Sequence, residues 1–411
     1  MRILSLAIMA AIGLLPVASR TSGRTLQAPS AIVVLVSFDG WRWDYLDRFG
    51  PREVGALAAR GVRAEGLVPA HPSLTFPNHY SIVTGLRPAR HGIVSNTMLD
   101  PALPGRFTLA DTSVTGNPAW WGGEPLWNTV TRQGLRSATM FWPGSDVPIG
   151  GHYPTYWRRF EDALPAGRRT DQVLEWLALP EAERPAFLTL YFSDVDTAGH
   201  TFGPDAPEVR DAVTRLDREL GRLVDGVARL GLQSRVHWLL VSDHGMAALS
   251  RDRVIVLDEF LDPASVQIIE IGSTLSFNGG RTSAERAYQA LRGRHPRLRV
   301  FRSVDLPPAF GLAGHPRVPQ VVALADEGWT VTTRERLARR DAARPWGGAH
   351  GYDPASPDMR GLFVATGPRI RSGEMVPPVE NVHIYGLICE LLGIDPSPND
   401  GDPAVYRPWL R

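Results

Sequence analysis

The amino-acid sequence predicts an α/β fold: a mostly parallel central sheet flanked by helices, with a smaller αβ insert. Short apolar, β-branched runs alternate with segments of helical periodicity that close on glycine, and three of these runs lead straight into acidic or histidine-bearing loops. Such alternation gives strands covered on both faces. Ligands in folds of this kind gather beyond the carboxyl ends of the strands.

Residues 31–37, 186–192, 236–241 and 361–365 are short enough to be fully buried strands. Between them, residues 52–60 before Gly61, 124–133 before Gly134 and 206–230 before Gly231 read as helices with glycine stops. From about 250 to 344, strands at 254–257, 300–303 and 321–324 with a helix at 283–292 make up the insert. Residues 381–392 before Gly393 form an apolar helix packed on the sheet.

At the N-terminus, Met1-Arg2 precedes an apolar stretch at 3–17 and then Ala18-Ser19. That is the order of a secretory signal, so residues 1–19 are expected to be removed and the product to be periplasmic or secreted. The stretch is shorter than the roughly 20 apolar residues of a membrane span. A single cysteine, Cys389, makes no intrachain disulfide. The 44 basic and 43 acidic residues nearly cancel, and runs such as 292–299 read as solvated faces, so no specific nucleic-acid surface is expected. Nothing in the sequence speaks to oligomeric state.

The polar residues fall at the strand ends. Asp39 follows the first strand, and alone it is either a metal ligand or an acceptor for turn amides. Asp196 and His200 sit four apart after the second, and Asp243 and His244 side by side after the third. His350 lies on a glycine-rich loop, poorly placed for core packing. Any one histidine is more often a structural hydrogen-bonder than a ligand. Three carboxylates and three histidines together supply three protein ligands for each of two ions, the usual complement of a catalytic zinc with an open position. His71, His79, His91, His295 and His383 lack such company and read as structural.

In the segment 72–80, Pro77 suits the first turn of a helix that continues to Gly85, which puts Thr75 near its N-terminus. The commoner role for a threonine there is a plain cap. A cap needs no metal; a nucleophilic hydroxyl does need a base or an ion to stabilise its alkoxide.

The stretches Val34-Leu-Val-Ser-Phe-Asp-Gly40, Leu74-Thr-Phe-Pro-Asn-His-Tyr80, His91-Gly-Ile-Val-Ser-Asn96, Trp142-Pro-Gly-Ser145, 196–200 with Gly203-Pro204, 242–246 and His350-Gly-Tyr-Asp353 span most of the chain. In that order they resemble bacterial members of the nucleotide pyrophosphatase/phosphodiesterase family, within the alkaline phosphatase superfamily. The resemblance implies an alkaline phosphatase-like catalytic domain over 20–411 and two zinc ions. It assigns Asp39, Thr75, Asp243 and His244 to one ion, and Asp196, His200 and His350 to the other. It makes Thr75 the nucleophile of a covalent intermediate and Asn96 a donor to a non-bridging phosphate oxygen, with net retention at phosphorus. Phe76 and Tyr191 would flank a nucleobase; the aromatic run 153–160 would add a wall, with the choice of ring open and Phe160 the candidate. A small phosphodiester, such as a nucleotide, is the implied substrate.

A sulfatase would need a cysteine or serine beside a proline and an arginine, where this chain has Thr75-Phe-Pro-Asn-His79. A zinc phosphomonoesterase or phosphonate hydrolase shares the same core, but the nucleophile segment has no arginine or lysine for the extra charge of a monoester. A non-catalytic zinc-binding protein is the alternative of a different class, and the presence of Thr75 argues against it.

Overall fold

The computed structural model describes residues 30–340 and 344–411. The expected signal segment, 1–19, lies outside them. The central sheet has eight strands: β1 (Ile32–Phe38), β2 (Val62–Ala64), β3 (Ser137–Met140), β4 (Tyr156–Trp157), β5 (Phe187–Phe192), β6 (Val236–Val241), β7 (Phe363–Thr366) and β8 (Glu374–Val376). They lie in the order β8-β2-β7-β6-β1-β5-β3-β4. β1 runs parallel to both β5 and β6, and β3 parallel to β5 and β4. Every residue of β1, β5 and β6 is buried, which is why these strands read as mostly apolar runs rather than alternating ones.

The expectation of a mostly parallel sheet needs one refinement. β7, taken from sequence as another strand of the series, pairs antiparallel with β6 and β2. A short apolar run carries no direction of its own; direction is decided by the path of the chain that delivers it.

The helices that cover the sheet are α1 (Arg52–Ala59), α2 (Thr75–Thr84), α3 (Leu126–Arg132), α4 (Ala166–Leu177), α5 (Asp194–Phe202), α6 (Pro207–Arg229), α7 (Arg281–Leu291) and α8 (His383–Leu392). Side chains alternate across a strand, so β1 serves two cores. Val34 and Val36 pack with Val54 of α1, Val173 of α4 and the stripe Val209, Val213, Leu216, Leu220 and Leu223 of α6. Val33 and Leu35 pack with Ile82 of α2, Trp127 of α3 and Ile384 and Ile388 of α8. The helices expected at 52–60, 124–133 and 206–230 are present, shortened by one or two residues where Pro125 and Ala206 take the cap positions.

Residues 267–325 contain a four-stranded antiparallel sheet in the order Gln267–Glu270, Thr274–Asn278, Val321–Ala325, Leu298–Arg302, with α7 against it. The sequence reading placed strands near 300 and 321 but did not anticipate the hairpin at 267–278. Val254–Val256 does not join this sheet; it pairs in parallel with Thr330–Thr332. No helix among the described residues is long and apolar enough to cross a membrane.

Candidate metal centre and active site

The carboxyl ends of β1, β5 and β6 bring the sequence-predicted residues together. Asp39 follows β1, Asp196 and His200 share α5 just after β5, and Asp243 and His244 follow β6. Gly40 has a φ of 67°, and a Cβ there would press on the backbone of Asp196. Glycine is thus what lets the β1 turn and α5 close on one another. His350 arrives from the far end of the chain on Gly348–Ala349, which pairs with Ala247–Ala248 beside the β6 turn. A Cβ at Gly347 would collide with the carbonyl oxygen of His200. The glycines before His350 therefore permit the close approach of its loop to α5.

Two clusters result. The Nε2 of His200 lies 3.1 Å from that of His350 and 3.4 Å from Asp196 Oδ1. His244 Nε2 lies 3.0 Å from Asp243 Oδ2, 3.5 Å from Asp39 Oδ1 and 3.3 Å from Thr75 Oγ1. The rings of His244 and His350 stack at 3.5 Å, so the clusters adjoin. Donor atoms of Asp196, His200 and His350, and likewise of Asp39, Asp196 and His244, all lie close enough together to meet one cation.

The donor set fits such a cation. Each of the three rings has its Nδ1 beside a backbone carbonyl: His200 with Gly348, His244 with Gly245 and His350 with Ser73, at 2.8–3.0 Å. An Nδ1–H donated there fixes the tautomer and turns the Nε2 lone pair inward, the usual support of a metal-binding histidine. Asp39 Oδ1, Asp196 Oδ1 and Asp243 Oδ2 are buried and accept no hydrogen bond. Buried oxygens without a partner are costly, and a positive ion among them would satisfy all three.

Electrostatics give the same picture. Burial pushes Asp39 well above the usual carboxylate range, and the neighbouring Asp243 and Asp196 add to the rise. Burial acts the same way on Asp243, but His244 and His79 outweigh it and hold that carboxyl well below. Burial, with His244 and His200 beside it, keeps His350 well below the ordinary imidazole value and so neutral, the form that ligates.

Thr75 is the first residue of α2, whose cap position is Leu74 without a side-chain cap bond. The plain-cap role is therefore set aside, and the hydroxyl faces His244 at the positive end of the helix. Asn96 Oδ1 accepts the Phe76 N–H at 2.9 Å, which leaves the Asn96 NH2 group as its free donor. Beside Thr75 opens a cavity of roughly 200 Å3 lined by Phe76, Leu109, Trp121, Trp142, Phe160 and Tyr191, and by Asp39 and Asp196. Within the run 153–160 only Phe160 lines it: Tyr153 and Trp157 stack on each other, and Tyr156 lies against Trp176. Tyr191 is buried in the wall and donates to Asp39 Oδ2 at 2.6 Å.

Sequence reasoning set His79 apart. In the structure its Nδ1 sits 3.0 Å from the Thr75 carbonyl and 3.3 Å from Asp243 Oδ2, and its Nε2 bonds Ser37 Oγ at 2.7 Å. The one available signal was its i+4 spacing from Thr75 on a predicted helix.

Fold and site together define a class: an α/β protein with a candidate two-metal centre at its strand ends and a hydroxyl aimed into it. The chain belongs to the type I phosphodiesterase / nucleotide pyrophosphatase family, which matches residues 33–353. It is 36% identical over 406 residues to the venom phosphodiesterase CdcPDE of Crotalus durissus collilineatus, covering 95% of this chain and 48% of that one. It is 33% identical over 394 residues to ectonucleotide pyrophosphatase/phosphodiesterase family member 3 of Mus musculus, covering 92% and 44%. The chain thus spans about half the length of these relatives. Among solved structures, an inactive form of murine ectonucleotide pyrophosphatase/phosphodiesterase 5 in complex with AMP superposes with a TM-score of 0.87. That pair is 31% identical, over 93% of this chain and 100% of the other.

Proposed function

We propose that the chain is an exported two-zinc phosphodiesterase, a nucleotide pyrophosphatase that cleaves phosphodiester or pyrophosphate bonds through a covalent threonine intermediate. The observation that carries this reading is the Thr75 hydroxyl, 3.3 Å from His244 Nε2 and on the wall of the same cavity as Asp39, Asp196 and Phe76.

Asp39, Thr75, Asp243 and His244 would hold one zinc, and Asp196, His200 and His350 the other, an oxygen and nitrogen set that suits this metal. When bound, the ions supply Lewis-acid stabilisation of charge on the attacking, equatorial and leaving oxygens. Thr75 Oγ is the attacking atom, favoured as an anion by the amide end of α2. Asn96 donates its NH2 to a non-bridging oxygen, held in place by the Phe76 amide. Phe76 and Phe160 grip a base or another flat group, with Tyr191 behind them orienting Asp39. Water then releases the phosphoryl group from Thr75, so two displacements give net retention.

That the murine relative has been solved in complex with AMP supports a nucleotide as the substrate class. Export rests on the residue order at 1–19 and agrees with the venom and ectonucleotide names of the relatives. Diesters are favoured over monoesters because no arginine or lysine lines the cavity. The test is kcat/KM of the zinc-loaded mature protein on an aryl nucleotide diester against an aryl phosphate monoester, with Thr75→Ala as control. The diester is expected to lead, and Thr75→Ala to lose turnover while Thr75→Ser keeps part of it. Equal turnover of the monoester would move the assignment to a phosphomonoesterase.

A further inference from the structure

Asn96 lies between Ser95 and a two-residue strand, Thr97–Met98, that pairs antiparallel with Phe107–Thr108. Its Oδ1 accepts the Phe76 amide, and its NH2 group can face a phosphate oxygen steadily only if the backbone on either side is held. The hairpin at 267–278 does the holding. On one arm the buried Ser95 donates its Oγ–H to Glu270 Oε1, and on the other Arg106, just before Phe107, donates to the Ile269 carbonyl. Adjacent residues of one strand, Ile269 and Glu270, clamp both arms of the ribbon that begins at Asn96.

The same hairpin has a second anchor near the candidate metal centre. Ser273 Oγ donates to the His350 carbonyl at 2.5 Å, and Thr274 Oγ1 donates to the Gly351 carbonyl at 3.3 Å. Both bonds go to backbone, so they fix the hairpin against the loop of His350 whatever its ring is doing. Glu270 therefore belongs to a frame already tied to the centre. Its own placement is costly: burial pushes the carboxyl up to about 7, while the Ser95 hydroxyl, the Thr97 amide and Arg106 pull it back. The groups that offset this cost come first from Ser95 and Thr97, the residues on either side of Asn96.

We propose that Glu270 is a positioning residue: through Ser95 it sets the Asn96 NH2 group against a non-bridging oxygen of the phosphate. This rests on the role given to Asn96 in the reading above. Glu270 is absent from the wall of the aromatic cavity, so its loss should spare the grip on the base and act on the rate. The contact joins the insert to the reaction, because Asn96 lies on the catalytic domain and Glu270 on the four-stranded sheet.

The experiment uses the full mature protein with Glu270→Ala, Glu270→Gln, Ser95→Ala and Asn96→Ala. Substrates are the aryl ester of a nucleoside 5′-monophosphate and both diastereomers of its phosphorothioate, in which sulfur replaces one non-bridging oxygen. Sulfur accepts hydrogen bonds poorly, so the diastereomer whose sulfur faces Asn96 is the one whose rate penalty shrinks in Asn96→Ala. That variant is expected to lose about 100-fold in kcat on the oxygen ester. Glu270→Ala and Ser95→Ala should each lose about tenfold in kcat with KM within about twofold, and should shrink the same sulfur penalty. Glu270→Gln, whose amide oxygen still accepts from Ser95, should stay within about threefold of wild type. Wild-type kcat in Glu270→Ala or in Ser95→Ala would overturn the proposal. So would a loss of kcat that leaves the sulfur penalty unchanged, because a general loosening of the fold does not single out one oxygen. Wild-type kcat in Asn96→Ala would instead remove the Asn96 donor from the reading of the site, and the positioning role with it.

Discussion

His79 Nδ1 lies 3.3 Å from Asp243 Oδ2 and 3.0 Å from the carbonyl oxygen of Thr75, so one buried ring ties a candidate metal ligand to the first residue of α2. Its other nitrogen is held by Ser37 at the end of β1, and its ring meets Trp142 and Tyr191 edge-on. A side chain in this position acts on the geometry of the nucleophile without touching substrate. His79→Ala is accordingly expected to lower kcat by about 10- to 100-fold, with little change in KM. His79→Asn, which keeps an amide N–H for the Thr75 carbonyl, should recover part of the loss. A folded His79→Ala variant with the wild-type kcat would return this ring to core packing.

Metal removal gives the next test. A chelator should abolish turnover and added zinc restore it, because the donor set is imidazole nitrogen and carboxylate oxygen, which suits zinc. His350→Ala should weaken one ion far more than the other, since its Nε2 stands with His200 and Asp196. Titration of zinc binding in that variant reads this directly; equal weakening of both ions would contradict two separate sets.

Phe160 offers a clean probe of the aromatic cavity. The side chain is 50% exposed, so Phe160→Ala removes a cavity wall with little cost to the core. KM for a nucleotide diester is expected to rise by up to about tenfold, the order of one aromatic contact, while a small alkyl-aryl diester changes little. The same rise on both substrates would mean that Phe160 shapes the site in general and holds no base.

Acid stability follows from His91. Burial lowers its pKa to about 3, and the ring is held neutral between Ser81 Oγ and the Ile93 amide. The folded state refuses a proton that the unfolded chain takes up near pH 6.5. The unfolded state thus binds more protons between about pH 6.5 and 3, so stability falls as the pH drops through that window. The slope is about 1.4 kcal/mol per pH unit for one such group at most. His91→Gln should flatten the dependence of the unfolding midpoint on pH; an unchanged slope would show that His91 is not neutral and buried in solution.

The amino-acid sequence by itself determined the class of fold and the residues most worth testing. Runs such as β1, β5 and β6 favour burial on both faces because most of their residues are apolar, and parallel neighbours end on one side. Polar residues placed just after them, Asp39, Asp196, His200, Asp243 and His244, are therefore delivered to one neighbourhood by chain logic alone. His350 was legible for a different reason: glycines around a histidine signal backbone approach rather than packing.

Only the tertiary structure decided the rest. The antiparallel direction of β7 depends on the route of the chain, which local periodicity does not encode. Phe160 is chosen over Tyr153 and Trp157 because those two rings satisfy each other first. His79 gains its partners from Ser37 in β1 and from Asp243 after β6, and the hairpin at 267–278 packs against Thr97–Met98. Contacts between segments so far apart in the chain leave no periodic trace in the sequence, because each segment is compatible with many neighbours until the fold selects one.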